Sequence, residues 1–315
     1  MAVIKVQDLA FGRLRSPDLD VQEEFLTAFG MVRAERTPTA LYMRGTDPAR
    51  HIHVTEKGDP AFRSIAWYAD SEDDLKRVAK LPGASGIEHL DEPGGGLRVL
   101  LTEPNGFTIE VVHGIAPLAP ITVRRQPINT GQDPMNRVGE VMRIKDGPAT
   151  IKRIGHAVLG SPNNTETVRW FRETLGLVCS DDIYAGQPDN IIGQFSRLDR
   201  GDAFVDHHVF FCMKAPRAGL HHLSYEAQDI DDIFMGHEHL VRQGKYEHFW
   251  GIGRHLLGSQ VFDYWADPWG RVHEHWADTD RLNVGNGGNL VSAEEGLRNQ
   301  WGDRPPEKFI GHVSV

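Results

Sequence analysis

Two stretches decide how this chain is read: "EPNGFTIEVV" at Glu103–Val112 and "DPWGRVHEHW" at Asp267–Trp276. Each opens with an acidic residue, a proline, one variable residue and a glycine, which is turn chemistry. Each continues as a strand. Laid together, they align Glu110 with Glu274, Ile109 with His273 and Val111 with His275. Neighbours on a strand point to opposite faces. The second stretch therefore offers Glu274 on one face, and His273 and His275 on the other. The carboxylate is the position that both copies share.

The likeness extends backwards through the chain. "FGRLRSPDLDVQEEFLTAFGMV" from Phe11 aligns with "IGHAVLGSPNNTETVRWFRETLGLV" from Ile154. Both read as a strand, a Ser-Pro turn, an amphipathic helix and a glycine stop. The apolar stripes are Phe25, Leu26 and Phe29 in one, and Val168, Phe171 and Leu175 in the other. "FRSIAWYADSEDDL" from Phe62 aligns with "LHHLSYEAQDIDDI" from Leu220, an alternating strand leading into an acidic helix start. These helices are expected to run to about Leu81 and Arg242. Similarity at three places in one order indicates a duplicated module. Inside each module a strand and a helix precede three strands, and the pattern recurs. The expectation is an α+β fold of two tandem domains, each of paired βαβββ modules, with antiparallel strands and helices outside. The domains are placed at 1–116 and 151–280. A linker at 117–150 contains "APLAPITVRRQPINTGQDPMN", and the tail at 281–315, with "NVGNGGN", is expected to be irregular.

The aligned positions differ in chemistry. The first half has Arg13, Ser64 and Glu110, and the second has His156, His222 and Glu274. Arg13 brings a fixed positive charge that opposes a divalent metal. Two imidazoles and one carboxylate on one face leave positions open, which suits non-haem Fe(II). Mn(II) is a plausible substitute, and zinc accepts the same ligand types. The first half is expected to be metal-free and the second catalytic.

The bulk properties are those of a soluble globular protein. The chain has 315 residues, 25% of them charged, with a net charge of −10. That charge argues against nucleic acid or an anionic membrane as partner. No apolar run approaches a membrane span of ~20 residues. "MAVIKVQDLAFGRLRSPDLD" shows no apolar core flanked by a cleavage site, which argues against a secretory leader. Cys179 and Cys212 are the two cysteines, so a reducing cytoplasm is the expected location. The chain has 16 histidines, most of them after residue 155.

The segments "IGHAVLG", "DHHVFF", "GLHHLSYEAQDIDD", "GRHLLGSQVFDYWADPWG" and "VHEHW" resemble the type I extradiol dioxygenases of the vicinal oxygen chelate superfamily. The resemblance covers about residues 5 to 280. It implies a glyoxalase-like fold with a metal-free N-terminal domain and a catalytic C-terminal domain. It makes His156, His222 and Glu274 the iron ligands. It places His208 at the acid–base position, and His255 and Tyr264 at hydrogen-bonding positions near the substrate oxygens. The implied reaction inserts both atoms of O2 into a catechol or trihydroxybenzene and opens the ring. The substrate would be a small aromatic diol or triol, and the "GSQVFDYWADPWG" segment looks closest to enzymes acting on substrates such as 2,4,5-trihydroxytoluene. Val158 is apolar where some members have a polar residue. Relatives form homo-oligomers, and a many-stranded fold with sheet edges favours that.

Several residues are read as ordinary structure. His237, His239 and His248 are placed on or near a helix and taken as solvated. Trp250 and Phe249 are more readily core than pocket wall. The His207-His208 and His221-His222 pairs are open to a surface reading, and His255 follows a glycine-rich turn. Two other functions fit the fold family. One is a glyoxalase-type metal isomerase or lyase, which usually draws ligands from two modules. The other is a non-catalytic small-aromatic binding protein, which needs no metal triad.

Overall fold

The computed structural model describes residues 2–124 and 127–314. The N-terminal half contains β1 (Asp8–Ser16), α1 (Leu19–Phe29), β2 (Val32–Arg36), β3 (Ala40–Arg44) and β4 (His53–Lys57). Its second unit is β5 (Ala61–Tyr68), α2 (Glu72–Val78), β6 (Glu88–His89), β7 (Leu97–Thr102) and β8 (Thr108–His113). The C-terminal half opens with β9 (Ile151–Ser161), α3 (Asn164–Leu175), β10 (Val178–Tyr184), β11 (Ile191–Arg197), β12 (Val205–Asp206) and β13 (Phe210–Lys214). It continues with β14 (Gly219–Ala227), α4 (Ile230–Gln243), β15 (Glu247–His255), β16 (Val261–Ala266) and β17 (Val272–Ala277). The last elements are β18 (Arg281–Leu282), β19 (Asn289–Ser292), α5 (Ala293–Gly296), β20 (Asn299–Trp301) and α6 (Glu307–Ile310).

Local chemistry sets the helix ends. Asp18 accepts hydrogen bonds from the backbone N–H groups of Asp20 and Val21, capping α1. Ser71 and Asp74 form a reciprocal capping box on α2. Phe25, Leu26 and Phe29 are fully buried, as are Phe171 and Leu175. The helix expected to reach Leu81 stops at Val78, and α4 runs to Gln243.

The strand orders are β2-β3-β4-β1-β5-β8-β7-β6 and β19-β10-β11-β13-β9-β14-β17-β16-β15-β20. The sheets are mixed, where antiparallel strands were expected. β1 pairs with β4 in parallel, and so do β5 with β8, β9 with β13 and β14 with β17. The helix returns the chain to its starting end, and a three-stranded meander ends pointing the way it began. Each unit therefore closes with its last strand parallel to its first. β1–β5 and β9–β14 join the units antiparallel.

The two halves pack intimately. A Cβ on Gly12 would lie 2.3 Å from Leu223 Cδ1, so the Leu223 side chain of β14 packs directly on the β1 backbone. Phe29 of α1 stacks on His275 at 3.7 Å, and the His275 ring donates to the Phe29 carbonyl at 2.6 Å. His273 sits between Phe25, Phe29 and His53. The face of β17 opposite Glu274 is thus part of the packing between the halves.

The segment after 281 differs from the irregular tail expected. β19 adds to β10 in parallel and β20 adds antiparallel to β15. Edge strands offer free backbone N–H and C=O groups. A short segment can pair with them without side-chain alternation, so it leaves no period to read. Residues 117–150 hold no helix or strand among the described residues. No helix among them is long and apolar enough to cross a membrane.

Candidate metal centre

His156, His222 and Glu274 come from β9, β14 and β17, three adjacent strands at the middle of the larger sheet. The register sets Ser224 opposite both His156 and Glu274. Their ligand atoms converge: His156 Nε2 is 2.9 Å and His222 Nε2 3.3 Å from Glu274 Oε2. Neither approach has hydrogen-bond geometry. Both Glu274 oxygens and His222 Nε2 are buried with no hydrogen-bond partner among the described residues. Orphaned donors and acceptors of this kind are costly in a folded protein. Donors ~2.1 Å from one centre and at right angles lie ~3 Å apart, the spacing seen here. The residues fit a divalent metal.

The electrostatics fit as well. Burial alone would raise the Glu274 carboxyl, but the His156, His222 and His255 rings outweigh it and hold the group well below its ordinary range. Burial pushes the His222 imidazole down to about 4. A carboxylate and a neutral imidazole are the forms that bind metal.

The two histidine pairs are buried, which corrects the surface reading. A β-bulge between Leu220 and His222 lets adjacent rings meet on one side of β14. His221 Nδ1 lies 2.7 Å from His222 Nδ1, and His221 Nε2 donates to the Phe309 carbonyl at 2.8 Å. The His222 ring is thereby oriented with Nε2 toward Glu274. His207 and His208 form a similar chain between β12 and β13. His207 Nε2 meets Asp181 Oδ2 at 2.7 Å, and His207 Nδ1 lies 3.1 Å from His208 Nδ1. The His208 ring lies 4.2 Å from that of His156. Burial, with His156 and His207 nearby, pushes His208 well below its ordinary value, so the ring is neutral at neutral pH.

His255 and Tyr264 join the same cluster. His255 Nε2 is 3.0 Å from the Tyr264 hydroxyl and 3.8 Å from Glu274 Oε1. Burial and the Glu274 charge push the Tyr264 phenol well above its ordinary value, so it keeps its proton. His255 ends strand β15 rather than lying in a loop, because "GIGR" continues the strand. All six residues except Glu274 line a cavity of about 260 Å³, with Val158, Phe195, Phe309 and other apolar groups.

Other expectations change. Trp250 is pocket wall, stacked on Tyr264 at 5.3 Å, while Phe249 packs in the aromatic cluster behind. His237 and His248 are only partly exposed, and both contact the buried carboxylate of Asp263. His248 lies on β15, beyond the helix. Sequence reading passed over Gln260 and Phe309, which line the cavity together with His221. Gln260 is fully buried, and both atoms of its amide lack partners among the described residues. Its place just before "VFDYW" was the available signal.

No family model matches the chain. Metapyrocatechase 2 of Cupriavidus necator is 30% identical over 308 residues, covering 96% of this chain and 91% of that protein. The chain belongs to the extradiol dioxygenases. This dioxygenase is also 25% identical over 286 residues to an iron-dependent extradiol dioxygenase of Rhodococcus jostii (strain RHA1), covering 85% of this chain and 87% of that one. The Mn(II)-bound glyoxalase from Novosphingobium aromaticivorans has the same fold, with a TM-score of 0.80 at 22% identity over 99% of this chain and 96% of that one. As a vicinal oxygen chelate extradiol dioxygenase, the protein is a ring-cleaving enzyme.

Proposed function

We propose that the enzyme is Fe(II)-dependent, with His156, His222 and Glu274 as ligands, and opens the ring of a substituted catechol or trihydroxybenzene such as 2,4,5-trihydroxytoluene. The observation that carries this reading is the set of buried, unpartnered donors converging on one point. The name of the Rhodococcus relative supports iron. Mn(II) is the expected substitute, as in the structure of the Novosphingobium glyoxalase. The reading includes a metal-free N-terminal domain at 1–116, a catalytic domain at 151–280, and a cytoplasmic homo-oligomer.

Bound here, the metal would supply adjacent sites for both catechol oxygens and O2, and a route for electrons between them. The protein's own residues do the rest. His208 is neutral and is oriented through Nδ1 by His207, so its other nitrogen can take a proton from a substrate hydroxyl and return it as the ring opens. Tyr264 and His255 hold a substrate oxygen by hydrogen bonds. Phe195, Trp250 and Phe309 keep water from the ring. An apolar cavity of ~150 Å³ accommodates benzene, so about 260 Å³ leaves room for ring substituents. The apolar lining suits an uncharged substituent, and the Gln260 amide suits an additional hydroxyl.

A panel of catechols and trihydroxybenzenes, scored by oxygen uptake and by the spectrum of the product, tests this reading, with metal content measured on the same sample. Oxygen uptake that requires Fe(II) is expected, fastest with a neutral, alkyl-bearing ring. Iron-loaded protein that consumes no oxygen with any member of the panel would defeat it.

A further inference from the structure

On the other side of β16 from Tyr264, three more ligand-type side chains meet. They are His237 from α4, His248 from β15 and Asp263 from β16. His248 Nε2 is 2.8 Å from Asp263 Oδ1, and His237 Nδ1 is 3.1 Å from Asp263 Oδ2. The two rings lie edge to face at 4.8 Å. Asp263 is fully buried, while the histidine side chains are 24% and 32% exposed. The cluster is therefore anchored inside and open to solvent at its rim.

We propose that His237, His248 and Asp263 form a second divalent-metal site, of the zinc type, separate from the ring-cleaving centre. Four donors arranged tetrahedrally at ~2.0 Å from zinc lie ~3.3 Å apart, so the histidine–carboxylate spacings here need to open only slightly. Trp265 Nε1 donates to Asp263 Oδ2 at 2.6 Å. That bond fixes the carboxylate plane and leaves Oδ1 for the ion, as an outer hydrogen bond does at a metal site. Space has been kept around the same oxygen: a Cβ on Gly251 would lie 2.9 Å from Asp263 Oδ1. Two imidazoles and one carboxylate leave the fourth position to water at the exposed rim. On binding, the ring proton that each histidine now shares with Asp263 passes to its other nitrogen or to solvent. The nearby Glu238, one residue from His237, favours a cation.

The test is zinc stoichiometry of the full chain after chelation and reloading with zinc alone. Co(II) serves as a second probe, because its visible spectrum separates tetrahedral from six-coordinate sites. Wild type is expected to take up two equivalents, one with a tetrahedral Co(II) spectrum. His237→Ala, a change at a partly exposed helix position, is expected to lose that equivalent and its spectrum and keep the other. His248→Ala should do the same. Glu274→Ala should keep the tetrahedral equivalent, which separates this site from the proposed iron centre. Uptake that is the same in wild type, His237→Ala and His248→Ala would overturn the proposal, as would loss of the tetrahedral signal in Glu274→Ala alone.

Discussion

Glu110 and Glu274 occupy matching strand positions in the two halves and meet opposite surroundings. Glu110 is saturated. Arg13 Nε donates to it at 2.7 Å, Arg98 Nη1 at 3.2 Å, and the Ser64 hydroxyl also donates. Arg13 reaches Glu56 and Glu92 as well. Glu274 has the same burial and no hydrogen-bond partner among the described residues. One framework therefore supports two uses of a buried carboxylate. In the first half its charge is cancelled by the protein; in the second no hydrogen bond among the described residues meets it, and the proposed metal would take that place.

The sharpest way to break this comparison is to remove each carboxylate in turn. Glu274→Ala is expected to abolish iron retention and ring cleavage, read by metal analysis and oxygen uptake, while the metal-free protein stays folded. Glu110→Ala is expected to do the reverse. It takes from Arg13 its most deeply buried partner, leaving Glu56 and Glu92, at a cost of up to about 3–5 kcal/mol in denaturant unfolding, and leaves iron content intact. Equal loss of iron from both variants would sink the contrast.

A smaller effect is expected from His208→Ala. The kcat should fall about 10²–10⁴-fold, the usual contribution of an acid–base group, with bound iron unchanged. His221→Ala removes the link between His222 and Phe309, and iron affinity should weaken about 10–100-fold with all three ligands still present. Affinity equal to wild type would mean that the bulged pair has no orienting role.

The smallest effect concerns pH. Burial alone would raise the Glu110 carboxyl, but Arg13, Ser64 and Arg98 hold it below its ordinary value. A carboxylate lowered on folding contributes stability above its unfolded pKa of ~4.3, and that contribution is lost as pH falls through the lower folded value. Glu110→Gln should flatten the acid limb of a stability–pH curve. A limb as steep as wild type would assign the dependence to other groups.

The sequence was most informative where the duplication could be compared with itself. The alignment of Arg13, Ser64 and Glu110 with His156, His222 and Glu274 anticipated both clusters, because equivalent strands in equivalent units carry their side chains to equivalent places. Long-range contacts were less legible. The contacts of Asp263 with His237 and His248 join three elements that no local period relates. The histidine pairs depend on a bulge and a bend, and strand alternation alone would have sent the neighbours apart. Gln260 and Phe309 reach the cavity through strand pairing and through a C-terminal segment without periodic pattern.

The packing of α1 against the back of β17 has a consequence for inheritance. Glu274 rides on a strand whose reverse face is braced by Phe29, and the neighbouring strand β14 is approached closely by Gly12 at Leu223. Natural selection acting on ring cleavage therefore reaches residues that never touch an aromatic ring. The N-terminal half serves as a foundation for the proposed metal centre, and a variant at Phe29 is expected to lower ring cleavage without touching the substrate.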